Sequence, residues 1–89
     1  MVEDIHPIVC RKWAVPILRF LDERGSRNYT RIEAEFDTSS DVITDRLQEL
    51  SDAGLVKREK KSPKNVQYSI TESGRQLLSL VADINQLLE

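Results

Sequence analysis

Cysteine and histidine each occur once in 89 residues. One thiol closes no intrachain disulfide, and one Cys with one His falls short of a structural zinc site. Glycine and proline number three each, and no glycine-rich loop that would cradle a phosphate is among them. No stretch approaches the ~18 apolar residues of a membrane span. The leading MVEDIHPIVCRK has neither the basic region nor the long apolar run of a secretory leader. Acidic side chains are plentiful but fall on solvated helix faces with no nucleophile beside them, which argues against an enzyme. The expectation is a single domain over 1–89, cytoplasmic, with no metal, cofactor or membrane partner. At 39% apolar and 31% charged the chain has enough for a core and is no disordered segment.

The formal charge is −2, but its distribution is uneven. Residues 11–32 carry +4, six basic groups against Asp22 and Glu23. Residues 33–56 carry −6, seven acidic groups against Arg46 alone. Residues 57–64, KREKKSPK, carry +4, five basic groups against Glu59. An acidic chain thus contains one compact basic octapeptide.

Apolar periodicity places the elements. Trp13, Ile17 and Leu21 recur every four residues with Leu18 and Phe20 beside them, predicting a helix over 13–24 that Gly25 stops. Pro16 is tolerated if this helix begins near Trp13, where amides have no partner. A short helix fits 30–36, with Thr30 and Glu33 as a capping box and Tyr29 as a hydrophobic staple. A third runs over about 40–53 on the stripe Ile43, Leu47 and Leu50, ending at Gly54. A hairpin follows over about 55–70: Leu55 to Lys60 out, a turn over 61–65, and Val66 to Ile70 back with period-two alternation. Thr71 caps a last helix over about 72–88. Trp13 and Tyr68 are expected in the core, Cys10 as a small buried residue, and His6 in an exposed loop.

Helix, short helix, polar turn, helix, basic hairpin, helix is the order of a winged helix-turn-helix, a mainly α fold with a small β-hairpin (α+β). The third helix is then the recognition helix and the hairpin the wing. With Ile43, Leu47 and Leu50 turned inward, the opposite face holds Asp41, Thr44, Asp45 and Gln48. Gln48 suits adenine, and Thr44 suits a thymine methyl or a base edge. Asp41 and Asp45 read as partners of the helix dipole or as solvated groups. Ser39 and Ser40 fit caps that also serve a phosphate. Arg27 and Arg31 flank the second helix, and Lys60, Lys61 and Lys64 crowd the wing tip; all five suit backbone phosphates.

Three stretches, KWAVPILRFL (12–21), LQELSDAGLVKRE (47–59) and YSITESGRQLL (68–78), resemble the HxlR-type winged-helix transcriptional regulators. The resemblance spans Lys12 to Leu88. It implies a homodimer on duplex operator DNA, with no assigned small-molecule effector. Three departures stand out. Only eleven residues precede Lys12, where the family has a longer helix. The turn before the recognition helix is one residue shorter and lacks Pro-Gly. Cys10 sits three residues before Trp13, not at the upstream place of the reactive Cys in redox-sensing members, so that role does not transfer.

The last helix carries Leu77, Leu78, Leu80, Val81, Ile84, Leu87 and Leu88, more apolar surface than a small domain covers. Leu77, Leu80, Val81, Ile84, Leu87 and Leu88 are therefore the expected dimerisation residues, with Ile5, Ile8 and Val9 packing alongside. The competing reading is a winged-helix module that docks to protein and leaves DNA alone; the −6 segment favours it, and the basic wing favours DNA.

Overall fold

The structure, a computed structural model, describes residues 11–89. The expectations for Ile5, His6, Ile8, Val9 and Cys10 lie outside the described residues. Among the described residues four helices and three strands run in the order α1 (Ala14–Arg24), β1 (Arg27–Asn28), α2 (Tyr29–Glu35), α3 (Ser40–Asp52), β2 (Val56–Ser62), β3 (Asn65–Ile70) and α4 (Glu72–Leu87). This is the expected mainly helical winged helix-turn-helix, with one addition. The hairpin is a three-stranded antiparallel sheet of order β1-β3-β2.

Helix α1 starts one residue late. Trp13 sits before it in the left-handed region, φ 76°, a conformation that costs a non-glycine residue roughly 1–3 kcal/mol. Its ring offsets this by packing edge-on against Phe36, centroids 5.7 Å apart. Pro16 is the third helical residue, among the amides that lack an intrahelical acceptor, so no bond is lost. Ala14, Ile17, Leu18 and Leu21 bury one face of α1 against Ile32, Ile43, Leu47 and Leu50, with Leu55, Val56 and Ile70 closing the core.

Helix α2 corrects the expected cap. It begins at Tyr29, and the carboxamide oxygen of Asn28 accepts from the Arg31 amide at 3.0 Å. Thr30 therefore lies inside the helix and forms no capping box, and Glu33 accepts instead from the Ser40 hydroxyl. The Asn28 cap wins because β1 brings that residue in extended, at φ −79° and ψ 168°, the backbone a cap needs.

Helix α3 has Ser39 as its cap, its hydroxyl accepting from the Val42 amide at 3.3 Å. Gly54, at φ 77°, ends it, and the Leu55 amide returns to the Leu50 carbonyl at 2.9 Å. That closure turns the chain straight into β2. The wing turn is tighter than the expected 61–65. Ser62 pairs with Asn65, a bulge at Lys61 absorbs one residue, and only Pro63 and Lys64 remain as the loop. Thr71 caps α4 as expected, accepting from the Gly74 amide at 3.1 Å, and also donates to the Gly54 carbonyl at 2.7 Å. One hydroxyl thereby joins the end of α3 to the start of α4.

Candidate nucleic-acid interface

Amphipathicity fixes which side of α3 is available. Ile43, Leu47 and Leu50 are buried, so Asp41, Thr44, Asp45 and Gln48 point to solvent together with Ser39 and Ser40. The opposite face is the expected one, residue for residue. Its hydrogen-bonding groups are partly engaged. The Tyr29 hydroxyl donates to the Ser40 carbonyl at 3.0 Å and lies 3.1 Å from Thr44 Oγ1. The Ser40 hydroxyl is taken up by Glu33. Gln48 Nε2 donates to Asp52 Oδ1 at 2.9 Å, which leaves its carbonyl oxygen and one amide proton free. On this face Thr44 is exposed with its hydroxyl engaged by Tyr29, and Gln48 keeps a free acceptor.

The wing lies on the same side. Pro63, Lys64 and Val66 form one wall of a cleft of about 240 Å³, and Asn28, Tyr29 and Thr30 form the other. Tyr29 thus touches both the recognition helix and the cleft under the wing tip. Lys60, Lys61 and Lys64 are all exposed. Lys64 occupies the two-residue loop, Lys60 faces Val66 across the hairpin, and Lys61 is the bulged residue. Lys61 also pairs with Glu59 at 3.2 Å, both half-exposed; such a pair is worth at most about 1 kcal/mol and gives way readily to a phosphate.

Arg27 and Arg31 stand elsewhere. They line a cleft of about 260 Å³ with Phe20, Arg24, Ala34 and Glu35, between α1 and the side of α2 that carries Arg31 and Glu35. Sequence reasoning passed over Arg24 and Asp52. Asp52 had a signal, since its spacing of four from Gln48 puts both on one helical ridge. Arg24 had one too, since it stands with Arg27 and Arg31 in the basic stretch before residue 32.

The apolar face of α4 divides in two. Leu77 and Leu78 are half-buried against the domain core, and Val81 is half-buried. Leu80, Ile84, Leu87 and Leu88 stay exposed at 58, 44, 81 and 78%. No helix among the described residues is long and apolar enough to cross a membrane. No cluster of three or more His, Cys, Asp or Glu side chains among them is placed to hold a metal ion.

Comparison with known proteins matches residues 8–89 to the HxlR-like helix-turn-helix family. An uncharacterized HTH-type transcriptional regulator of Bacillus subtilis (strain 168), YvaP, is 32% identical over 82 residues, 89% of this chain and 75% of that protein. The reduced form of the B. subtilis transcriptional regulator YodB superposes with a TM-score of 0.77 at 24% identity, covering 90% of this chain and 80% of that one. A crystal structure described as a MarR-family transcriptional regulator, from Enterococcus faecalis V583, gives 0.81 at 26% identity over 91% and 76%.

Proposed function

The chain belongs to the HxlR-like helix-turn-helix family of DNA-binding transcriptional regulators, and on that premise we propose that it binds duplex operator DNA as a homodimer, α3 in the major groove and the wing on the backbone. The observation that carries the reading is the position of Tyr29. It contacts Ser40 and Thr44 of α3 and also walls the cleft beneath Lys64, so base-facing and phosphate-facing groups share one side of the molecule. Thr44 and Gln48 read bases; Ser39, the backbone amide of Ser40 at the start of α3, Lys60, Lys61 and Lys64 hold phosphates. The exposed stripe of Leu80, Ile84, Leu87 and Leu88, continued by Val81 and Leu77, packs against its copy across a two-fold axis.

The test is Gln48→Ala, measured on a selected operator and on random duplex across a salt series. Affinity for the operator falls by about 1–3 kcal/mol while random duplex is hardly affected. Equal weakening of both duplexes would remove Gln48 from sequence reading.

A second reading, docking to a basic protein surface, draws on Asp41 and Asp45, two carboxylates exposed on the face offered to DNA. Asp45→Ala separates the two. In a DNA reader it tightens every duplex by removing repulsion; in a protein-docking module duplex binding is absent with or without it.

A further inference from the structure

An acidic chain gathers three arginines around one cleft. Arg24 comes from the end of α1, Arg27 from β1 and Arg31 from α2. Among the described residues none of the three has a carboxylate within ion-pair distance. Glu35 lines the same cleft and is not paired with any of them. Like charges brought together without counter-charge oppose folding, and that repulsion is relieved by an anion. Arg27 is half-buried, and its Nη1 is pinned by donating to the Ser26 carbonyl at 2.7 Å. Phe20 gives the cleft an apolar wall, itself held edge-on against Phe36 at 5.8 Å.

The balance of charge names the ligand. Three guanidinium charges less the one Glu35 carboxylate leave two. A phosphate monoester carries about −1.5 to −2 at neutral pH and offers three acceptor oxygens, whereas a backbone phosphodiester carries one charge. Phe20, Arg24 and Glu35 also wall an adjoining cleft of about 240 Å³, where Pro16 and Phe36 add apolar surface and Arg19 and Glu23 offset each other in charge. The two spaces, which share Phe20, Arg24 and Glu35, suit a dianionic head with a small apolar body.

We propose that the cleft bounded by Arg24, Arg27 and Arg31 is a binding site for a small phosphate monoester. The site uses none of Thr44, Gln48 or the wing lysines, so it is measurable whether or not the chain binds duplex.

The experiment is calorimetric titration of the full chain with phenyl phosphate, with dimethyl phosphate as the singly charged diester and inorganic sulfate as a dianion that does not titrate. Phenyl phosphate binds, and dimethyl phosphate binds roughly tenfold more weakly or worse. Phenyl phosphate binding tightens as pH rises through about 6, the second ionisation of the phosphate, while sulfate binding lacks that step. Arg31→Gln and Arg24→Gln, both at exposed positions, each weaken phenyl phosphate by roughly tenfold and do not lower the melting temperature of the ligand-free protein, since each removes one of the repelling charges. Equal binding of dimethyl and phenyl phosphate overturns the proposal and makes the cleft a surface for nucleic-acid backbone. So does wild-type affinity in both variants, or the absence of binding at roughly 10 mM ligand.

Discussion

Tyr29 on α2 and Thr44 on α3 join their hydroxyls at 3.1 Å. Tyr29 also donates to the Ser40 carbonyl, so the Thr44 hydroxyl is the donor in the shared bond. Tyr29→Phe keeps the ring and removes both hydrogen bonds. Stability falls by about 1 kcal/mol for hydrogen bonds of this exposed kind, read by urea unfolding. Discrimination between operator and random duplex narrows as well, because Thr44 loses its fixed rotamer. A variant with undiminished discrimination would show that the Thr44 orientation is set by α3 alone.

The wing lysines separate by their surroundings. Lys64 has no carboxylate partner among the described residues, whereas Lys61 is paired to Glu59. Each lysine that neutralises a phosphate contributes ~0.9 to the slope of log affinity against log salt. Lys64→Ala in a dimer with two wings therefore flattens that slope by about 1.8. Lys61→Ala has a smaller effect, since it also frees a repelling Glu59. Both changes act equally on operator and random duplex. A triple Lys60, Lys61, Lys64→Ala variant with an unchanged slope would return the wing to the status of a solvated hairpin.

Leu80 and Ile84 face solvent on α4 while Leu77 and Leu78 are held by the core. Leu80→Glu with Ile84→Glu leaves the single chain folded and abolishes association. Sedimentation velocity at tens of micromolar then gives a monomer for the variant and a dimer for the parent. A monomeric parent contradicts the assignment.

Gly74 is the one fully buried residue of α4. A Cβ there would stand 2.6 Å from Ile70 Cγ1 and overlap the Leu55 carbonyl oxygen. Gly74→Ala gains about 1 kcal/mol of helix propensity but forces backbone apart, at a typical cost of about 1–3 kcal/mol. With a carbonyl as the obstacle the loss prevails, and the melting temperature drops. A rise would mean that α4 shifts freely on the sheet.

The recognition helix was legible because Ile43, Leu47 and Leu50 follow the helical period without interruption and Ser39 and Gly54 stand at its two ends. From that stripe the exposed set Asp41, Thr44, Asp45 and Gln48 follows by geometry. Strand β1 was not legible, since two residues carry no period and Arg27 and Asn28 gain their conformation only by pairing with Tyr68 and Gln67. That hidden strand also explains the misplaced cap. Thr30 and Glu33 make a good local pattern, but the extended approach through β1 delivers Asn28 to the helix start first. The bulge at Lys61 was equally hidden, because alternation in β2 consists of charged residues on both faces. The arginines of the cleft were visible as part of the +4 segment, but that they face one space follows only from how α1, β1 and α2 fold together.

Strand β1 bonds at two positions, Arg27 with Tyr68 and Asn28 with Gln67, assisted by Ser26 donating to the Gln67 side chain at 2.9 Å. So short a pairing is the least cooperative piece of the sheet, and opening it disturbs little buried apolar surface. The hairpin has a second and firmer mooring, since Leu55, Val56 and Ile70 at its base belong to the core. The two residues of β1 thus act as a stay on a mast already stepped in the core: they brace β3 from the side, while the weight of the hairpin is carried at its foot.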